Sequence, residues 1–130
     1  MFNRYPYAAF HWIIHLISAL AVAYFFANQI SGYLAAVLAN IVIDSDHLPL
    51  VFKTGIRGYL RLRLVTEFSR PRKYPMHNLP AIVATFTVGT WQLLLGNSFY
   101  ATAILAVALH LLWDFAEDAV LFKIGIKHWL

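Results

Sequence analysis

The chain contains no cysteine. That excludes disulfides and thiolate metal sites, and leaves the redox compartment open. Charge is also scarce: 12% of the 130 residues are Asp, Glu, Lys or Arg, about half the roughly one quarter usual in a soluble domain. There is no internal repeat and no low-complexity tract. In place of these the chain is apolar, with 61% hydrophobic residues and a mean hydropathy of +0.64. A chain with the length of one domain cannot bury so much apolar surface in a single core. The surplus is expected to face lipid, making residues 1–130 a single transmembrane domain.

Four apolar stretches carry that expectation: Tyr7 to Ala27, Ile30 to His47, Leu79 to Gly96 and Phe99 to Phe122. Each has roughly the ~20 residues that cross a ~30 Å hydrocarbon core. The connections "NQIS" and "GNS" are short and uncharged, so the stretches pair as antiparallel hairpins. The fold class expected is all-α, an integral membrane four-helix bundle. Arg4, Lys53, Arg57, Arg61, Arg63, Arg70, Arg72, Lys73, Lys123 and Lys127 all fall on one side of it. The positive-inside rule makes that side cytoplasmic, with both termini inside. A long basic cytoplasmic loop then joins helices two and three. The net charge of +4 reads as topology, in the cytoplasmic (inner) membrane, rather than as a nucleic-acid surface. "ALAVA", ending at Ala23, resembles a signal-peptide cleavage site, but the basic start is weak and two histidines interrupt the run.

Within the loop, "YLRLRLVTEF", residues 59 to 68, alternates like a strand and equally suits an interfacial amphipathic helix. A basic surface on anionic headgroups is the favoured reading, and a flap over a site is the sharper one. Tyr5, Tyr7, Trp12 and Trp129 read as an interfacial aromatic belt.

At ~1.5 Å per residue, His15 lies ~18 Å from the outer end of helix one and His110 ~17 Å along helix four. Asp44 and Asp114 come out ~21 to 23 Å deep. His11, His47, Glu117 and Asp118 follow, and His77 stands just before helix three. These groups converge on the cytoplasmic third, although antiparallel helices could have scattered them. His110, Asp114, Glu117 and Asp118 form one stripe at i, i+4, i+7 and i+8. His11 and His15 are spaced i, i+4, and Asp44 and His47 i, i+3. Lys and Arg occur only in loops and tails, so the buried carboxylates lack an internal counter-ion. Intramembrane ionisable groups are functional by default. A divalent metal is the expected solution: zinc first, with manganese or iron next, since calcium prefers all-oxygen sites. Other readings stand beside this one. A lone histidine such as His11 usually packs through hydrogen bonds. Glu117 and Asp118 suit a solvated helix end equally well. Asp46 suits a cap before Leu48–Pro49, and the whole set suits a hydrogen-bonded polar core.

The order "H…DSDH…MHN…HLLWD" resembles the membrane-bound metal-dependent hydrolases of the DUF457 type, over residues 11 to 118. Their motifs run His, Asp-x-Asp-His, His-Arg-Gly-x-Thr-His-Ser and His-x-x-x-Asp. Asp44, Asp46 and His47 match the second motif, and His110 and Asp114 the last. His77 falls on the second histidine of the third motif, and the first histidine is His11 or His15, with depth favouring His15. The third motif departs from the pattern: Arg72 replaces its first histidine, Lys73 its arginine, Tyr74 its glycine and Asn78 its serine. A more distant similarity is to zinc-dependent phospholipase C, whose helical site also has a His-x-x-x-Asp pair.

The leading expectation is a metal-dependent hydrolase at the cytoplasmic membrane face, acting on a lipid or phosphoester. His15, Asp44, His47, His77, His110 and Asp114 are the candidate ligands. They are enough for one ion or two. Glu117 is the first candidate general base and Asp46 the second. Arg70, Arg72 and Lys73 are the candidate phosphate contacts. Membrane lipid is the expected partner. Small residues such as Ser18, Ala21, Gly32, Ala35 and Ala36 permit close packing within or between chains, which allows a homo-oligomer. The alternative is a non-catalytic metal protein, a divalent-metal transporter or sensor.

Overall fold

The computed structural model describes residues 4–49, 51–55, 76–120 and 129–130, with the side chains of residues 4–9 and of Asp46 left out. The loop 59–68 and the candidate phosphate contacts Arg70, Arg72 and Lys73 lie outside the described residues. Helix α1 is Arg4–Phe26 and α2 is Ile30–Ile43, which runs into a 3-10 turn at Asp44–His47. Helix α3 is Leu79–Leu94 and α4 is Ser98–Val120. A helical segment also covers 51–55. The fold is all-helical, with no strand among the described residues.

The helix boundaries have local causes. Asn28, with φ +38°, reverses the chain after α1, and Asn tolerates this left-handed conformation better than other side chains. Gly96, φ +77°, ends α3. Its N–H donates to the Leu93 carbonyl at 3.0 Å, and the Asn97 N–H donates to the Gln92 carbonyl at 2.9 Å. This is a Schellman closure, which needs a residue without Cβ strain. At the start of α3, the Asn78 side chain accepts the Ala81 N–H at 2.8 Å. Pro80 follows in the first turn, where its missing N–H costs nothing.

Helix α4 packs against α1, α2 and α3, and α1 also packs against α2. The helices meet through small side chains: Ala19, Ala23, Ala36, Ala101, Ala106 and Ala108 are all buried. At Gly89 an added Cβ would lie 2.7 Å from Leu105 Cδ2. Large apolar residues face outward instead, with Phe25 75%, Ile30 79% and Leu94 77% exposed. The buried set includes His11, His15, His47, His77, His110, Asp114 and Glu117. Large apolar side chains on the outside with ionisable groups inside depart from the usual pattern of a water-soluble domain.

Helix α4, 23 residues with a window hydropathy of 1.6, is long and apolar enough to cross a membrane. Among the described residues, the apolar stretches Phe10–Phe26, Ile30–Ile43 and Leu79–Leu94 are shorter. Trp129 departs from the aromatic-belt expectation, being only 3% exposed. Its indole N–H donates to Asp118 Oδ2 at 2.8 Å, and its carbonyl accepts the Leu79 N–H at 2.7 Å. Its ring meets Phe115 edge-on at 5.4 Å. Trp129 thus ties the end of the chain to the start of α3 and to α4. Trp12 is exposed, as a belt residue would be.

Candidate metal centre

Four parts of the chain deliver the ionisable groups. His11 and His15 are one turn apart on α1, and so share a face. The 3-10 turn has three residues per turn, which stacks i over i+3. Asp44 Oδ1 and His47 Nε2 accordingly stand 3.5 Å apart. His77 immediately precedes the Asn78 cap, so the start of α3 fixes its position. His110, Asp114 and Glu117 form the stripe on α4.

Asp114 lies at the middle. Its Oδ1 is 3.1 Å from His15 Nε2 and 3.8 Å from His11 Nε2. Its Oδ2 is 3.0 Å from His77 Nε2 and 3.3 Å from His110 Nε2. Asp44 Oδ1 is 3.4 Å from His110 Nε2 and 3.8 Å from His77 Nε2. The rings of His15 and His110 lie 4.0 Å apart, in keeping with the equal depth expected of them. All these groups except Asp44 are at most 9% exposed.

Asn40 orients one imidazole. Its Nδ2 donates to the Ala36 carbonyl at 2.9 Å, which turns Oδ1 toward His110 Nδ1, 2.7 Å away. An amide oxygen only accepts, so His110 Nδ1 carries a proton, and in the neutral ring the lone pair is then on Nε2. That lone pair faces oxygens of Asp44 and Asp114 without making a hydrogen bond. For the neutral ring, left bare, the arrangement is repulsive. A cation between these atoms turns it into attraction. Glu117 Oε2 does the same for His11: it lies 2.8 Å from Nδ1. The other nitrogen, Nε2, then faces Asp114. A carboxylate or carbonyl behind a histidine is the usual way of orienting a metal ligand.

The spacing also fits an ion. With metal–ligand bonds of about 2.0–2.2 Å, neighbouring ligands around one ion stand about 3.0–3.5 Å apart. The short His–Asp distances, 3.0 to 3.5 Å, fall in that interval. Both nitrogens of His15 and the Oδ1 of Asp44 are buried without a hydrogen-bond partner, which strands them unless something else binds them. Ligand atoms group within 4.8 Å of one another in three sets: His11, His15 and Asp114; Asp44, His47 and His77; His77, His110 and Asp114. Imidazole with carboxylate is a donor set for zinc, manganese or iron.

A cavity of about 300 Å³ runs between α1 and α2 to this centre. Its walls are Trp12, Leu16, Ala19, Val37 and Ile41, and it reaches His15, Asp44 and His110. Trp12, Leu16 and Ile41 are exposed at the outer surface, so the cavity opens sideways through the apolar exterior.

The six candidate ligands therefore come together. His11 stands beside them as well, next to His15 and Asp114. Glu117, a candidate base from its position, is engaged with His11, and Asp118 holds Trp129. Asp46 belongs to the 3-10 turn. Asn40 was passed over, although it stands one turn before Asp44 on an otherwise apolar face, a signal that sequence carries. No family model, curated protein or solved structure matches the chain, so the likeness to the DUF457-type hydrolases is carried by the short motifs alone.

Proposed function

We propose that this chain is a metal-dependent hydrolase embedded in the cytoplasmic membrane, acting on a lipid or phosphoester at the inner face. One observation carries the metal: buried nitrogens of His15 and His110 face the oxygens of Asp44 and Asp114 without hydrogen bonds. The ligands would be His11, His15, Asp44, His47, His77, His110 and Asp114. A divalent ion there supplies Lewis acidity, drawing electrons from a phosphoryl or acyl oxygen and making water nucleophilic near neutral pH. Asn40 and Glu117 hold the histidine tautomers that leave lone pairs for the ion. With Glu117 so engaged, Asp46 is the candidate base. Arg70, Arg72 and Lys73 precede His77 and are the candidate phosphate contacts.

The membrane reading is supported by the apolar exterior and by the one-sided Lys and Arg. Helix α2 with its 3-10 turn rises about 29 Å, from ~1.5 Å and ~2.0 Å per residue, close to a bilayer core. The sideways cavity suits an acyl chain entering from lipid with its headgroup at the metal. Transport is less well supported: residues 16–39 and 79–109 hold no acidic, basic or imidazole side chain that could carry an ion to the other side.

The test is turnover of a phospholipid panel by the detergent-purified chain, with and without chelator. Chelation is expected to abolish hydrolysis, and Asp114→Asn to lower it by at least the ~10²-fold that a positioned catalytic group contributes. Equal turnover by wild type and Asp114→Asn would remove the mechanism.

A further inference from the structure

We infer that the centre holds two metal ions of unequal openness, bridged by the Asp114 carboxylate. This rests on the metal reading above and makes it specific. The two oxygens of Asp114 divide the histidines between them. Oδ1 faces His15 and His11, both from α1, at 3.1 and 3.8 Å. Oδ2 faces His77 and His110, at 3.0 and 3.3 Å. Asp44 belongs with the second group through His110, His47 and His77.

The three ligand groupings say the same thing. Two of them share His77, while the third, His11 with His15, meets the others only at Asp114. One ion cannot take every donor, since zinc sites are four- or five-coordinate. The two oxygens of a carboxylate point their lone pairs in different directions, and a carboxylate bound through both holds two ions about 3.5–4 Å apart, the spacing of two-metal hydrolytic sites.

The sites differ in completeness. The first has three protein ligands, His11, His15 and Asp114, which leaves coordination open as in catalytic sites. The second has up to five, Asp44, His47, His77, His110 and Asp114, and is closed by protein. The cavity between α1 and α2 is lined by His11 and His15 of the first site and by Asp44 and His110 of the second. A ligand arriving along that cavity meets both sites, but the first, with fewer protein ligands, has coordination to spare and holds its ion more weakly.

Metal-free full-length chain in detergent, titrated with Zn²⁺ and read by equilibrium dialysis with elemental analysis, tests this directly. The expected result is two equivalents in two steps, with His15→Ala retaining only the tighter one. Saturation at one equivalent, or loss of all metal in a folded His15→Ala, overturns the two-site inference and leaves the metal reading standing. Binding of none overturns both. Mn²⁺-loaded wild type gives a readout that needs no variant. A carboxylate-bridged pair shows exchange-coupled electron paramagnetic resonance, and an isolated-ion hyperfine pattern at saturation counts against the bridge.

Discussion

The two halves of α4 are built for different purposes. From Ala101 to Ala108 the buried side chains are mostly alanines, and Leu105 and Ala106 pack with Ala19, Ala23 and Ala36 from α1 and α2. From His110 to Glu117 the same helix buries an imidazole and two carboxylates. The first half brings backbones close through small side chains. The second spends its interior on groups that are costly to bury. Shape alone can hold the alanine half. The other half is stable only if its charges are satisfied, and that difference is measurable.

Removing metal should produce the largest contrast. A ligand present at a thousand times its dissociation constant stabilises by about 4 kcal/mol. Stripping the metal with a chelator is expected to lower the melting temperature and to raise amide exchange near His11, His15, His47 and His110. Exchange around Ala19–Ala23 and Ala101–Ala106 should change much less. Uniform loosening along α1 and α4 would mean that the halves are not separable.

This contrast also marks what could be read in advance. The common level of His15 and His110 followed from counting residues, because an antiparallel helix pair fixes relative level at a constant rise. The stripe of His110, Asp114 and Glu117 followed from helical spacing. Burial of Trp129 did not, because it depends on where the chain returns after α4, a contact set by distant residues. The role of Asn40 was missed because its partner, His110, lies seventy positions away. The pairing of His11 with Glu117 spans 106 positions, and spacing along one helix cannot reveal it.

The orienting residues sharpen the comparison next. Asn40→Ala removes the acceptor that fixes His110, and Glu117→Gln weakens the one that fixes His11. Each is expected to cost about 10- to 100-fold in metal affinity, the usual penalty for losing a group behind a ligand. Competition against a chromophoric chelator measures it. If Asn40→Ala binds metal like wild type, His110 is not a ligand held by that amide.

In the alanine half the matching experiment is Gly89→Ala. The added methyl would meet Leu105 Cδ2 at 2.7 Å and Cγ at 2.8 Å, too close for either to stay put. Overpacking of this kind costs roughly 1–3 kcal/mol. The expected outcome is a lower melting temperature with metal content unchanged. Loss of metal together with stability would show that the close approach of α3 and α4 also positions His77.

The smallest effect is expected at Thr102, and it tests what an unsatisfied atom means. Its side chain is fully buried in the alanine half, and Oγ1 has no hydrogen-bond partner. By that measure alone it resembles His15 and His110. Thr102, however, has no acidic, basic or imidazole side chain within six residues on α4, whereas the histidine nitrogens converge on carboxylate oxygens. An isolated orphan is only a desolvation cost, and replacing it with an apolar group of similar shape is nearly neutral or stabilising. Thr102→Val is therefore expected to match or slightly exceed wild type in thermal stability, with the same metal content and turnover. A clear loss of stability would mean that the Thr102 hydroxyl serves a partner, and the alanine half would then hold a polar contact that its packing gives no sign of.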